Sequence, residues 1–317
     1  MQFGFTIPTR GPLSTRQGIS EIVRKGEALG FTHGTVSDHI VVPRDVSSRY
    51  PYSDSGEWPG GRVGEHLEQL SLLSFLAGVT ETLRIVTAIM VVPYRNPILT
   101  AKALATADVL SEGRITVGCG AGWMEEEFDA LDTPPFAERG RVTDEYLRIF
   151  KTIWTEDSPE FAGDYTRFSN VSVLPHPVQK PHPPLWIGGE SAPALRRTAR
   201  LGDGWFPIGN NPRFPLNTVA LYSAALDRLH GLIEAEGRDP ATVALGYSAN
   251  WVYGRDALTL PDGARHAFTG SADQLLEDID AFGALGLQHL IVNFQSRDLN
   301  ATIERMEGFA EDVMGKS

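Results

Sequence analysis

Cysteine is nearly missing from the 317 residues: Cys119 stands alone. That excludes an intramolecular disulfide, a cysteine-based zinc cage and a Cys-x-x-Cys redox pair. Long apolar runs are missing too. Nowhere do roughly 18 apolar residues follow one another. The start, Met1-Gln2-Phe3-Gly4-Phe5-Thr6-Ile7-Pro8, lacks the basic region and apolar stretch of a secretion signal. A cytoplasmic protein without membrane association is the expectation. Basic residues are scarce, 28 Lys and Arg against 40 Asp and Glu, and the net charge of −12 repels nucleic acid and anionic lipid surfaces. A phosphorylated small molecule stays compatible, because backbone N–H groups and a few local arginines can hold a phosphate. No Gly-x-Ser-x-Gly elbow and no Walker sequence occur, which removes the common hydrolase and kinase classes. His176, His182 and His230 have no partner at ligand spacing, so no metal site is expected.

What is present is an ordinary globular composition, 42% hydrophobic and 21% charged. Its length suits one α/β barrel of about 250 residues plus loop insertions. Short β-branched runs alternate with stretches of helical period, the rhythm of a parallel sheet covered by helices. Eight strands are predicted: Gln2–Ile7, His33–Ser37, Arg84–Met90, Arg114–Gly118, Pro184–Gly188, Gly204–Pro207, Val243–Ser248 and His289–Asn293. They are apolar almost throughout, as strands buried on both faces are. The helices predicted between and after them are Thr15–Leu29, His66–Thr80, Pro97–Leu110, Ala137–Trp154, Ala192–Leu201, Leu216–Glu236, Ala272–Leu285 and Thr302–Met314, with Gly30, Gly202, Gly237 and Gly286 as C-caps. The fold class is therefore α/β, a (β/α)₈ barrel forming a single domain over residues 1–317. A doubly wound open sheet is the alternative, but no Gly-x-Gly-x-x-Gly turn follows the first strand. Four segments exceed a minimal barrel, about 42–64, 120–136, 157–183 and 250–269. Because barrel active sites form from loops after strand C-termini, the first two are the expected pocket walls.

Chemistry concentrates at the predicted strand ends. Ser37-Asp38-His39 ends the second strand, where an imidazole titrating near neutral pH can face the barrel mouth; a structural histidine bonded to a carbonyl is the other reading. Gly118-Cys119-Gly120-Ala121-Gly122-Trp123 follows the fourth strand and lets backbone approach a flat ring or a phosphate, although loops are glycine-rich in general. Trp123 can wall a ring system or fill core. Gly188-Gly189-Glu190-Ser191 leads into a helix carrying Arg196 and Arg197, an arrangement that suits an anion and equally a simple N-cap at Ser191. At the end of the third strand Arg95 can reach an anionic group and Tyr94 a ring edge, and a solvated or paired surface arginine is an equal reading for Arg95. Glu125-Glu126-Glu127 reads as a charged helix start in preference to a catalytic dyad. Tyr50, Tyr52, Trp58 and Trp251 suggest an apolar, aromatic pocket, although aromatics in loops are as often core.

In order along the chain, Gly30-Phe31 before Ser37-Asp38-His39, then Pro93-Tyr94-Arg95-Asn96-Pro97, Arg114-Ile115-Thr116-Val117-Gly118 with Gly120-Ala121-Gly122-Trp123, Pro177-Val178-Gln179-Lys180-Pro181-His182-Pro183-Pro184, Ile187-Gly188-Gly189 and Gly202-Asp203-Gly204-Trp205 resemble the luciferase-like monooxygenase superfamily. Within it, the chain is similar to the F420-dependent oxidoreductases of actinobacterial type. The resemblance implies a (β/α)₈ barrel whose ring cofactor lies across the mouth against a non-proline cis peptide, here Ala88–Ile89. It implies His39 as the catalytic proton donor or acceptor. Asp38, His39, Ala88, Ile89, Gly120, Ala121, Gly122, Trp123 and Glu126 become the cofactor-ring side, and Gly188, Gly189, Glu190 and Ser191 the phosphate side. Coenzyme F420 is the implied cofactor and FMN the alternative. The corresponding reactions are hydride transfer to or from a small organic substrate (carbonyl/alcohol, imine or activated C=C), or oxygenation with reduced flavin and O₂; a non-catalytic flavin-binding barrel is a third reading. A homodimer and a separate reductase are the implied partners. One departure stands out: related dehydrogenases carry an acidic residue directly after the glycine-rich loop, where this chain has Trp123.

Overall fold

The computed structural model describes residues 1–59 and 65–317, with backbone alone for Asn250 and Trp251. Eight parallel strands close on themselves: β1 (Gln2–Thr6), β2 (His33–Val36), β3 (Arg84–Thr87), β4 (Ile115–Gly120), β5 (Leu185–Gly188), β6 (Gly204–Phe206), β7 (Ala244–Val252) and β8 (His289–Asn293). Each pairs with the next, and β8 returns to β1 with Gln2 opposite His289, which completes the barrel. After Thr87 the third strand breaks at a cis peptide between Ala88 and Ile89 and resumes at Met90–Val91 against Cys119 and Gly120 of β4.

The helices are α1 (Arg16–Ala28), α2 (Gln69–Val79), α3 (Pro97–Leu110), the short α4 (Glu125–Ala130), α5 (Arg139–Thr155), α6 (Ala192–Leu201), α7 (Val219–Ala235), α8 (Ala272–Ala284) and α9 (Leu299–Asp312). Their starts follow capping chemistry. Thr15 accepts from Gly18 N, Asn96 from Ile98 N and Leu99 N ahead of Pro97, and Ser271 with Gln274 forms a reciprocal capping box. Helix α2 begins at Gln69, three residues after the predicted His66, because the Glu68 carboxylate accepts from Leu70 N and Ser71 N. Gly30, Gly237 and Gly286 adopt positive φ at helix ends. Gly202 does not: its φ is −83°, and a Cβ there would lie 2.8 Å from the Ile187 side chain, so it is glycine for close packing. Among the described residues no helix is long and apolar enough to cross a membrane.

Strand alternation sorts the side chains into two layers. Outward Phe3, Phe5, Ile85, Val117, Leu185, Ile187, Leu245 and Leu290 join the main core beneath the helices. Inward Val86, Trp186, Phe206 and Ile291 fill the barrel itself, with Ala88, Ile89 and Ala244 packed against them. Bulk on one strand is matched by its absence on another. A Cβ on inward Gly204 would lie 2.4 Å from the Trp186 ring, and one on Gly246 2.9 Å from Phe206. The result is a packed interior, which leaves the strand C-termini as the place for a ligand.

Candidate active site

At the mouth, the sequence decides the geometry through three inward glycines. A Cβ on Gly118 would sit 1.9 Å from the Thr87 carbonyl oxygen, one on Gly120 2.7 Å from Ile89, and one on Gly188 2.8 Å from Ile89. These glycines therefore admit the Ala88–Ile89 bulge, whose side chain seats on β4 and β5. Gly122 has φ +84° and its missing Cβ makes room for Val91 and Phe128. The glycine-rich segment thus first accommodates the protein's own bulge, and the bulge in turn presents backbone to the mouth.

His39, three residues past β2, is buried and its Nδ1 lies 2.8 Å from Glu127 Oε2. The same oxygen accepts from the Tyr94 hydroxyl at 2.9 Å, while Glu127 Oε1 accepts from Ile40 N at 2.7 Å and Val41 N at 3.1 Å. Burial by itself raises the Glu127 pKa, but the bonds from His39, Ile40 and Val41 outweigh it and hold the carboxyl below its ordinary value. Burial, then the Glu127 charge, pushes the Tyr94 hydroxyl far up, so it remains a donor. A carboxylate can only accept, so the His39 proton sits on Nδ1, and Nε2 is left to work as acceptor or, in the imidazolium, as donor.

Glu125, Glu126 and Glu127 all stand in the first turn of α4, as the sequence reading has them. Glu127 is in addition buried and bonded to His39, which that reading did not anticipate. Met124 at the N-cap of α4 and Glu127 and Phe128 within it are buried at i, i+3 and i+4. That spacing was the available signal.

Other predicted residues are placed differently. Asp38 is buried and committed to protein: Arg95 Nη1 and Nη2 donate to its two oxygens at 2.8 and 2.7 Å, and Val91 N donates at 2.9 Å. Arg95 also pairs with Glu68 at 2.8 Å, so it anchors the bulged strand to α2 and is not free for an anion. Glu126 Oε1 is bonded to Ser47 N, Ser47 Oγ and Ser48 N, which ties the loop after β2 to α4. Glu190 is buried with its oxygens accepting from Ile208 N and Asn211 Nδ2 at 2.8 Å each. Burial pushes its carboxyl up to about 7 against those bonds. Gly189 has φ +100°, and its carbonyl accepts from the Trp205 indole. Ser191 occupies the N-cap position of α6 without a side-chain bond to that helix. Arg197 turns away to Asp144 and the Gly140 carbonyl, and Arg196 is exposed, so neither supplies the expected anion contact.

Aromatic rings roof the mouth. His39 lies 4.6 Å from Trp58 and 6.5 Å from Trp123, Trp58 lies 6.1 Å from Trp123, and Tyr50 packs on Trp123 at 5.2 Å. The side chain of Trp251 and the end of the first insertion, residues 60–64, lie outside the described residues.

The chain is a closed (β/α)₈ barrel with a glycine-seated cis bulge and a carboxylate-held histidine at its mouth. Residues 1–311 match the luciferase-like monooxygenase family, and the chain belongs to it. An FMNH2-dependent dimethylsulfone monooxygenase of Pseudomonas putida is 38% identical over 153 residues, 48% of this chain and 42% of that protein, so the match spans less than half of the relative. Two solved structures share the fold over the whole chain: a monooxygenase from Streptomyces bottropensis, with a TM-score of 0.76 and 21% identity, covering 100% of this chain and 99% of that one, and an F420-dependent secondary alcohol dehydrogenase, with a TM-score of 0.75 and 18% identity over the same shares.

Proposed function

We propose that this chain is an F420-dependent oxidoreductase that exchanges a hydride with a small uncharged substrate, a carbonyl/alcohol pair, an imine or an activated C=C bond. The observation that carries the reading is the Tyr94–Glu127–His39 chain, which fixes one nitrogen of a mouth-facing imidazole and leaves Nε2 for proton transfer. Reduction of a carbonyl requires a proton as well as a hydride, and a positioned imidazole supplies it. The bound deazaflavin supplies the two-electron hydride chemistry.

The residues fit a flat ring with an anionic tail. The Ala88–Ile89 bulge offers peptide backbone to one face, and Gly120, Ala121, Gly122 and Trp123 border it. Backbone N–H groups of Gly188 and Gly189, with the Ser191 hydroxyl uncommitted to its own helix, suit a phosphate without any arginine. Asp38 and Arg95 hold the bulge in place. Glu127 orients His39, and the aromatic roof excludes water so that the proton stays on the imidazole. His39→Ala should still bind cofactor while turnover falls by about 10²–10⁴-fold; unchanged turnover refutes the assignment.

A second reading is an FMN-dependent monooxygenase supplied with reduced flavin by a separate reductase. The 38% identity to a relative named for that chemistry favours it. In that case His39 keeps its place beside the ring, and substrate oxidation consumes O₂.

A further inference from the structure

Among the described residues, both ring nitrogens of His66 at the mouth are buried and without a hydrogen-bond partner. Its ring is nevertheless fixed: it stacks on Trp58 with 5.8 Å between centroids and 20° between planes, and it meets the His39 ring at 4.9 Å and 60°. Arg10 lies 5.8 Å from the same Trp58 ring, with Nη1 donating to the Pro59 carbonyl. The Glu127 carboxylate is saturated by four donors. A buried polar group left unpaired costs about 1–3 kcal/mol, so an unpaired imidazole in an aromatic cage is an arrangement that folding alone does not favour.

We infer that His66 is a substrate-binding residue which, beside His39, grips the single oxygen function of an otherwise apolar and uncharged substrate. This rests on the mouth being the reaction site. An apolar cage of Trp58, Trp123 and Tyr50 with two imidazoles selects for apolar bulk carrying one hydrogen-bonding atom. Burial, then the neighbouring His39 and Arg10, pushes the His66 ring down to about 4, so at neutral pH it is uncharged. A neutral imidazole has one N–H and one bare nitrogen. The N–H can donate to a carbonyl oxygen, and the bare nitrogen can accept from an alcohol, so one side chain serves both members of a carbonyl/alcohol pair without a change of charge.

The test compares cyclohexanone with methylenecyclohexane, which replaces only the oxygen by CH₂. The full chain, labelled at histidine with ¹⁵N, is titrated with each compound. The inference expects cyclohexanone to bind at least ten-fold tighter and to move the His66 ring-nitrogen resonances. His66→Phe keeps the stack on Trp58 and removes both nitrogens, so it should abolish the preference, while its melting temperature equals or exceeds that of the parent. His66→Gln should restore part of it. No preference in the parent chain, or a preference that survives in His66→Phe, overturns the inference. Titrating the same proteins with F420 and FMN keeps the two ideas separate: failure of both cofactors to bind counts against the proposed function, while the oxygen preference is read on the cofactor-free protein.

Discussion

Replacing Glu127 by Gln removes one negative charge and keeps one acceptor, which makes it a sharp probe of the His39 geometry. The His39 Nδ1–H changes from a bond to a carboxylate at 2.8 Å to a bond to a neutral amide. Hydrogen bonds to charged groups contribute roughly 1.5–3 kcal/mol against about 1 for neutral pairs, so the imidazolium loses about 1–2 kcal/mol of support. Turnover at neutral pH then falls roughly ten-fold, with cofactor affinity unchanged. Glu127→Ala is harsher, because Ile40 N, Val41 N and the Tyr94 hydroxyl all lose their acceptor; at about 1–3 kcal/mol each, it should unfold at markedly lower denaturant. The assay is a pH series of kcat/KM for both variants, together with ¹⁵N-histidine spectra assigned through His39→Asn. In the parent the proton must reside on Nδ1. A proton on Nε2, or a Glu127→Gln profile superimposable on the parent's, would refute the reasoning.

Other outcomes follow from packing and burial. Gly118→Ala places a methyl 1.9 Å from the Thr87 carbonyl, and since backbone cannot move cheaply there, it should destabilise by about 1–3 kcal/mol in urea unfolding. An unchanged midpoint would mean the bulge is free to shift. Burial first, then neighbouring charge, depresses His33 to about 3 and His289 to about 4. The unfolded chain binds those protons sooner, so their contribution is complete above pH 6.5 and is lost as pH falls, by up to about 1.4 kcal/mol per unit and per group. His33→Phe should flatten the fall in melting temperature between pH 6.5 and 4. Glu190 has the opposite sign: its folded pKa, raised to about 7, makes its contribution complete below 4.5 and lost as pH rises through 7. Glu190→Gln should therefore raise the melting temperature at pH 8 and leave it nearly unchanged at pH 4.5.

The barrel was legible because its signals are local and repeated. Buried strands such as Leu185–Gly188 read as short apolar runs, and Asn96-Pro97 and Ser271 mark helix starts without any tertiary help. Strand β7 runs on to Val252, past the predicted Ser248, because its pairing with β8 continues there, a nonlocal cause that no window reveals. His39 lies just past β2, where its strand-end position puts it, and the Ala88–Ile89 bond is cis, as the family resemblance implies. Glu127 was missed because three acids in a row at a helix start satisfy the helix dipole, and only the partner 88 positions away in sequence distinguishes the third of them. Arg95 was left open between an anion contact and a paired arginine, and Arg197 was read beside an anion site, for a related reason: a sequence shows that an arginine is available but not that Asp38 or Asp144 has already claimed it. His66, predicted only as the start of a helix, acquires its interest from rings brought to it by the loops after β2 and β4.

The central claim is that the mouth takes a deazaflavin and uses it for hydride exchange. Its most direct test is a pair of equilibrium titrations of the purified chain with F420 and with FMN, read by fluorescence quenching at one ionic strength. Micromolar affinity for F420 with negligible affinity for FMN is the predicted result. Tight FMN binding with none for F420 would contradict it and move this chain to the flavin-dependent monooxygenases.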